Sequence, residues 1–398
     1  MPEPAHTADA ADATDLVQSV EQRELDELLG GLLARHGDSA AVRAAIGQPG
    51  GFDPALWRLL VEQVGVPALM VPEEHGGAGF TFAETAVALE RLGYAFAPTP
   101  LPAGVLVVAA LLLADDADAS ARLLPRVAEG AVATLGWSGP TSSPCVDRAA
   151  QPEPVRAFAD GTLSGVLDII LDGDTAEVLL VLATTDDGLG LFEVAPDAPG
   201  LTRVHVDSMD QTLRLSRVDL DTVPATRIGG DLTDGAPVLQ AVGSAVVSCL
   251  AVGAAQRGLD TTVAYSKERV QFGRPIGSFQ ALKQRMAEML VAVETSRSAA
   301  LDATLAVAAA LGAPDGSDVD DLVRRTSVAK AWCTEALMDV AAETVQLHGG
   351  IAITWEHDAH LLLKRAHALG QLFGAAHHHR AVVLDPPEAD PTSEHAGR

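Results

Sequence analysis

Residues 269–289 read RVQFGRPIGSFQALKQRMAEM and join two long helical patterns through a loop with two glycines. Arg269 and Arg274 bracket Phe272 and Gly273 in this loop. Glycine lets the backbone approach a ligand closely, and a guanidinium binds an anion such as pyrophosphate. The loop by itself is consistent with an anion site and with a plain turn.

The segments on both sides of this loop show helical periodicity. Apolar residues recur at helical spacing, for example Leu282, Met286, Met289, Leu290 and Val293. The pattern predicts helices over 237–268, 279–311, 319–347 and 358–383. A second loop, QLHGG at 346–350, again has paired glycines. Long helices with short connections predict a C-terminal four-helix bundle, which we assign to residues 231–385.

The chain before the bundle contains two regions with different sequence patterns. Residues 131–230 contain short β-rich runs separated by Gly, Asp and Pro, and these predict a central antiparallel β domain. Residues 22–130 are helical, interrupted by the loop VPEEHGGAG at 71–79. The apolar run 102–114 is shorter than the roughly 20 residues of a membrane span, so it predicts a buried helix and no span. Segments 1–21 and 386–398 are acidic, Pro-rich and poor in large apolar residues, which predicts disordered tails.

Charge and cysteine usage limit the classes of function. The chain of 398 residues has 54 acidic and 27 basic residues, a net charge of −27, which disfavours binding to nucleic acid or an anionic membrane. Cys145, Cys249 and Cys333 are far apart, without metal-ligand spacing. Because the first residues are also acidic, unlike a signal peptide, we expect a cytoplasmic protein.

Taken together, the motifs resemble those of the acyl-CoA dehydrogenase family. The resemblance covers nearly the whole chain. Residues 71–102, VPEEHGGAGFTFAETAVALERLGYAFAPTPLP, are similar to the N-terminal loop and following helix of that family. Residues 269–289 and 346–366, the latter QLHGGIAITWEHDAHLLLKRA, are similar to its two C-terminal signatures. WEHDAHLLLKRA resembles the form found in actinobacterial members that degrade sterols and other bulky acyl-CoAs.

The resemblance implies a fold, a cofactor and partners. The fold is an N-terminal helical domain, a central β domain and a C-terminal four-helix bundle, with FAD between the last two. The neighbouring subunit completes each flavin site, so a dimer or tetramer is expected, and electron-transferring flavoprotein or a similar protein is the expected acceptor. By match, Arg269 and Phe272 contact the pyrophosphate and adenosine part of a partner's FAD. Gln346, Gly349 and Gly350 line the same dinucleotide.

The β domain departs from the family pattern. Where many members have Thr-Glu-Pro followed by Ala-Gly-Ser-Asp, this chain has Ser138-Gly139-Pro140 and then TSSP. Ser138 therefore keeps only the hydroxyl of a flavin-contacting threonine. Further on, Ile169 and Leu171 hold the aromatic and threonine positions of the flavin-flanking stretch. Only Asp172-Gly173 suggests the family's turn.

The family's catalytic carboxylate is the most informative departure. In this family a glutamate removes the α-proton of the acyl thioester while the β-hydrogen leaves as hydride to the flavin, which requires a base of tuned pKa. The three positions that hold this glutamate in different members correspond to Phe373, Gly243 and Leu250. None of them is a carboxylate, so we predict no catalytic residue of this kind in the chain.

The histidines at 377–379 offer a possible alternative. His377 lies four residues after Phe373 and has a suitable pKa for a base, but it is a helical turn away from the glutamate position. Consecutive helical residues point about 100° apart, so the three histidines cannot easily converge on one metal ion. We interpret them, with His357 and His360, as packing or helix-start residues and predict no metal site.

Three functions remain open at this point. The first is an acyl-CoA dehydrogenase subunit that lacks the glutamate and works with a homologous subunit that has it, on a bulky acyl-CoA such as a sterol side-chain thioester. The second is a homomeric flavoenzyme without α-proton abstraction, such as a flavin-dependent monooxygenase. The third is a non-catalytic scaffold, which the retained Arg269, Phe272, Gln346 and double glycine disfavour.

Overall fold

The structure, a computed structural model, describes residues 18–137, 154–313 and 318–384. Six helices precede the sheet. Their bounds are α1 Val20–His36, α2 Ser39–Ile46, α3 Pro54–Leu59, α4 Phe82–Ala95, α5 Leu101–Ala114 and α6 Ala117–Ala128. Ser19 and Thr81 begin α1 and α4 with capping boxes, which satisfy backbone N–H groups of the first turn. The predicted buried helix at 102–114 is confirmed as α5, whose residues are almost all buried.

The described part of the central domain contains seven strands: β1 Ala133–Trp137, β2 Arg156–Ala157, β3 Thr162–Leu171, β4 Val178–Thr185, β5 Gly188–Val194, β6 Leu201–Val206 and β7 Leu215–Asp231. The pairings β4–β2–β3–β7–β5 return to β4, so these strands close into a small barrel. Most pairs are antiparallel as predicted, but β1 and β2 both run parallel to β4. A separate apolar core, which includes Leu163, Val181 and Val218, fills the barrel.

The C-terminal region begins with three long helices, α7 Gly235–Glu268, α8 Gln280–Gly312 and α9 Val319–His348. These confirm the first three predicted helices of the bundle. Between α7 and α8 lies a hairpin of β8 Val270–Gln271 and β9 Arg274–Pro275. Helix α7 is long and apolar enough to cross a membrane, but 94% of its most apolar window is buried inside the protein, as in a core helix.

The single helix predicted over 358–383 is wrong. The structure has two helices there, α10 Ala359–Gln371 and α11 Ala376–Leu384. Phe373 and Gly374 between them have φ of 57° and 99°, in the left-handed region where a right-handed helix cannot continue. The break therefore occurs at the candidate glutamate position.

Two close contacts join the N-terminal helices to the bundle. A β-carbon at Gly253 of α7 would lie 1.9 Å from the Glu90 carbonyl oxygen, and one at Gly93 of α4 would lie 2.4 Å from that of Leu250. Only glycine allows two helices to approach this closely. Buried Arg365 adds a link to the β domain, since its Nε donates to Asp210 at 3.3 Å and its Nη2 to Thr212 at 2.7 Å. Its Nη1 also donates to the Gly93 carbonyl of α4 at 3.4 Å, so the three regions meet around Arg365.

Candidate functional site

The turn between α10 and α11 brings two of the three candidate glutamate positions together. The Phe373 ring is buried and packs on Gly243 of α7, where a β-carbon would lie 2.7 Å from ring atom Cδ1. The ring also stacks on Trp137 at the end of β1, with centroids 5.8 Å apart. Leu250, the third position, lies two turns further along α7 with its backbone against Gly93. It therefore does not join the other two.

Three side chains from three helices hold this turn, and two of them, Lys330 and His379, are buried. Gln240 Nε2 of α7 donates to the Phe373 carbonyl at 2.8 Å, and His379 Nε2 of α11 donates to the same oxygen at 2.9 Å. Lys330 Nζ of α9 donates to the Gly374 carbonyl at 2.9 Å. A non-glycine residue in the left-handed region is strained, and it persists where surrounding contacts fix it. These hydrogen bonds supply such contacts.

Burial shifts the titration of the groups behind the turn. Desolvation lowers the pKa of Lys330 to about 7, because the side chain is fully buried and water cannot solvate the ammonium. Burial, and then the nearby Lys330 charge, lowers the pKa of His379 to about 4. His379 is therefore neutral at pH 7, with its Nε2 hydrogen on Phe373 and its Nδ1 3.1 Å from the Ser327 hydroxyl.

The space in front of the turn is small and apolar. Its volume is about 20 Å³, and its lining is Leu106, Leu135, Trp137, Ile169, Ile170, Leu171, Leu372 and Phe373. Ile169 and Leu171, the predicted substitutes in the flavin-flanking stretch, thus face the same cavity as Phe373. A cavity of this volume holds about one water molecule. None of the described residues that line it carries a carboxylate, so they provide no base here.

The predicted turn at Asp172-Gly173 is present after β3. Asp172 has a φ of 54°, and its buried carboxyl accepts no hydrogen bond from a described residue. Burial raises the pKa of this carboxyl to about 8. Asp172 lines a separate cavity of about 10 Å³ with Thr99 and Thr212. This acid therefore lies at the boundary between the N-terminal helices and the barrel, outside the apolar space at Phe373.

The predicted dinucleotide-binding residues gather at the other end of the bundle. Tyr265 near the end of α7 stacks on His348 at the end of α9, with ring centroids 4.5 Å apart. This contact places the hairpin that follows Arg269 beside the end of α9, which includes Gln346, and the glycines that follow it. Ser138, the remaining predicted contact, lies outside the described residues.

These loops face outward. Arg269 and Gln346 are exposed, and the Phe272 side chain is 92% exposed with a φ of 53°. A β-carbon at Gly349 or Gly350 would meet no atom within 4 Å. An exposed guanidinium, an exposed ring and open glycines fit a dinucleotide that is bound mainly by another chain. Together with the rest of the described residues they form no enclosed site.

The remaining histidines have structural contacts. His379 is buried behind the turn, and the His377 and His378 rings lie side by side, 4.0 Å apart. His357 Nδ1 accepts from the Ala359 N–H at the start of α10, as predicted for a helix-start residue. Within residues 18–137, 154–313 and 318–384, no three His, Cys, Asp or Glu side chains are grouped as metal ligands.

The sequence interpretation missed the residues behind the turn. Of these residues, Lys330 could have been identified from the sequence, because it is the only charged residue between Thr326 and Thr334 of a strongly periodic helix. Its position coincides with the buried face of α9. Gln240 and Trp137 gave no comparable signal, since their contacts depend on the α10–α11 turn.

Comparison with known proteins identifies the class. Residues 19–131 match the family model of the acyl-CoA dehydrogenase N-terminal domain, and residues 241–385 match that of the C-terminal domain. The chain therefore belongs to the acyl-CoA dehydrogenase family, a family of oxidoreductases. Membership of this family implies FAD as the cofactor.

Particular relatives narrow the class further. The acyl-CoA dehydrogenase IpdE2 of Mycolicibacterium smegmatis is 38% identical over 363 residues, which cover 89% of this chain and 95% of IpdE2. Among solved structures, a variant of the Tcur3481-Tcur3483 steroid acyl-CoA dehydrogenase superposes with a TM-score of 0.78 at 30% identity, covering 92% of this chain and 97% of that one. The ChsE4-ChsE5 complex of Mycobacterium tuberculosis gives 0.79 at 25%, with 94% and 99% covered. The chain is thus similar to subunits of heteromeric steroid-type dehydrogenases.

Proposed function

We propose that this chain is the subunit without a catalytic glutamate in a heteromeric acyl-CoA dehydrogenase. The complex would introduce an α,β double bond into a bulky acyl-CoA, such as a steroid side-chain thioester. The homologous partner would provide the glutamate, and this chain would complete the partner's FAD site. We further propose a cytoplasmic location and electron-transferring flavoprotein, or a similar protein, as the electron acceptor.

The Phe373 turn is the observation that carries this proposal. The turn is hydrogen-bonded by side chains from three helices, but the side chain at the candidate glutamate position is an apolar ring packed on Gly243. A hydrocarbon ring cannot accept the α-proton, and the apolar cavity beside it provides no alternative base among the described residues. A chain with this arrangement requires the base from elsewhere.

The exposed loops support the second half of the proposal. FAD accepts the hydride when it is bound, and this chain's contribution would be to hold the dinucleotide part. Arg269 would pair with the pyrophosphate charge, since a guanidinium matches phosphate geometry. Phe272 would cover the adenosine, and open backbone at Gly349 and Gly350 would allow close approach. The heteromeric steroid-type relatives support the choice of a homologous partner.

The test compares the chain alone with the chain co-purified with a glutamate-bearing homologue from the same genome. Flavin content is measured from visible absorbance, and dehydrogenation of a steroid side-chain acyl-CoA is followed with an artificial acceptor. We expect activity only in the complex. Phe272→Ala should lower flavin content in the complex, whereas Phe80→Ala, the same change at a phenylalanine that is 45% exposed and lies outside these loops, should not. If the chain alone binds FAD and oxidises the thioester, the proposal is wrong.

A further inference from the structure

One stripe of exposed residues, with half-buried Glu335 among them, runs along the outer side of α9. Its residues are Val328, Trp332, Glu335, Asp339, Ala342 and Gln346, at successive spacings of four and three. This alternation gives the 3.5-residue period of a helix that packs along another helix. The stripe, which we call the α9 seam, spans 19 residues, and its first and last residues are roughly 27 Å apart along the helix. It therefore has the pattern and length of a contact surface for another helix.

The apolar end of the seam is built to receive a partner. Trp332 is 48% exposed, yet its indole N–H is fixed by a 3.1 Å hydrogen bond to the Thr295 hydroxyl of α8. Beside it, between α9 and α11, a groove of about 250 Å³ is lined by Val328, Trp332 and Leu384 among others. An oriented, half-exposed tryptophan next to an apolar groove has the character of an interface anchor.

The charged groups of the seam determine which partner fits. Glu335 forms an ion pair with Arg380 of α11, and Glu343 on the flank pairs with Arg285 of α8. Asp339 is exposed and forms no ion pair with any described residue. The middle of the seam therefore has one uncompensated negative charge.

A second copy of this chain would oppose that charge with another acid. Identical subunits related by a two-fold axis would bring the same seam together in antiparallel directions. A pair centred on Asp339 would place this uncompensated acid opposite itself, and a pair centred between the two acids would place it opposite Glu335 of the other copy, where the ion pair with Arg380 only partly offsets the repulsion. Like charges across an interface suppress association. The seam thus disfavours a homodimer and favours a partner with a basic residue at this position.

We propose that the α9 seam binds a homologous but non-identical subunit, whose facing helix has a lysine or arginine opposite Asp339 and an apolar recess for Trp332. This inference rests on the proposed heteromeric function and adds the surface and charge of the partner to it. The seam ends at Gln346, next to the exposed loops at Gly349 and Gly350. A helix packed along it would therefore belong to a subunit that also reaches those loops.

The chain alone provides the first test, by sedimentation velocity at low and high salt. The wild-type chain should remain monomeric at 41.1 kDa. Asp339→Lys should shift the mass toward a dimer at low salt, because the new cation can face Glu335 of a second copy, and added salt should reverse the shift. Asp207→Lys makes the same charge change at an exposed residue of the β domain and should remain monomeric. Adding Trp332→Ala to Asp339→Lys should restore the monomer.

Two results in this experiment would overturn the inference. One is a wild-type dimer that Asp339→Lys leaves unchanged or weakens, since the seam would then accept an acidic partner. The other is an Asp339→Lys chain that stays monomeric at low salt.

The complex with a glutamate-bearing homologue provides the second test. Asp339→Lys should weaken the complex by about tenfold or more, and Asp207→Lys should leave its affinity within about twofold. An active complex that is insensitive to Asp339→Lys would refute the seam and leave the proposed function intact. A complex that depends on Asp339 but does not oxidise the thioester would refute the proposed function and leave the seam.

Discussion

The packing of the Phe373 ring on Gly243 predicts that Gly243→Ala has opposite effects in two backgrounds. In the wild-type chain the added β-carbon would lie 2.7, 2.8 and 2.9 Å from three ring atoms of Phe373. The ring cannot retreat freely, because it also stacks on Trp137 and its backbone carbonyl is held by Gln240 and His379. The substitution should therefore strain the site.

The magnitude follows from two opposing contributions. Overpacking of a filled core costs about 1–3 kcal/mol. Replacing a mid-helix glycine by alanine stabilises a helix by about 1 kcal/mol. Gly243→Ala should thus lower the free energy of unfolding by up to about 2 kcal/mol in the wild-type chain. In the Phe373→Ala chain the ring is absent, so Gly243→Ala should raise the free energy of unfolding by about 1 kcal/mol.

Urea unfolding followed by circular dichroism measures the four chains of this double-mutant cycle. The coupling between Gly243 and Phe373 should be about 1–3 kcal/mol, as for residues in direct contact. Gly31→Ala is the control, because Gly31 lies in α1 with no atom within 4 Å of an added β-carbon. It should stabilise both backgrounds equally. Equal effects of Gly243→Ala in both backgrounds would show that the Phe373 ring does not occupy this space.

Three further predictions concern the same region and its link to the β domain. Phe373→Gly should be about 1 kcal/mol more stable than Phe373→Ala, because glycine adopts the left-handed conformation without strain. At Phe192 in β5, the control site, the alanine variant should be the more stable of the two. If urea unfolding ranks the glycine and alanine variants in the same order at both sites, the turn geometry is contradicted. The pKa of Lys330 is about 7 in the fold and 10.5 ordinarily, so the unfolded chain binds more protons between these values and wild-type stability should rise with pH across that window. The Lys330→Met chain should lack this rise. If the free energies of unfolding of the two chains differ by the same amount at about pH 7 and pH 9, the prediction is wrong. Arg365→Met should cost about 3–5 kcal/mol by stranding buried Asp210, and adding Asp210→Asn should recover much of that loss in the same titration.

The long elements could be predicted because their periodicity extends over many turns. The predicted ranges 237–268, 279–311 and 319–347 differ from α7, α8 and α9 by at most two residues at each end. The break before α11 was missed because apolar spacing continues through Leu372 and Phe373, and a phenylalanine gives no signal for a left-handed conformation. Leucines also recur at helical spacing in α1, yet Leu28 among them is 45% exposed, since the buried stripe there is narrower than the leucine pattern.

Part of the candidate site could likewise be predicted from the sequence, and part could not. The absence of glutamate at positions 373, 243 and 250 was apparent from the residues and the family resemblance, because it depends on residue identity. The path of the α10–α11 turn across α7 decides which of these positions meet. It brings Phe373 onto Gly243, whereas Leu250 packs on Gly93. The sequence pattern likewise predicted strands but not barrel closure or the parallel pairs with β4, since strand pairing is decided between distant segments.

By itself, the sequence determined the helical and β-rich regions, the family and the types of residue at each family position. Local spacing and residue identity carry that information along the chain. The tertiary structure alone decided that an apolar ring fills the space at Gly243, that Lys330 and His379 are desolvated behind it, and that Trp332 and Asp339 lie on one exposed seam. Each of these depends on which segments meet in space, and burial and charge pairing exist only after they have met.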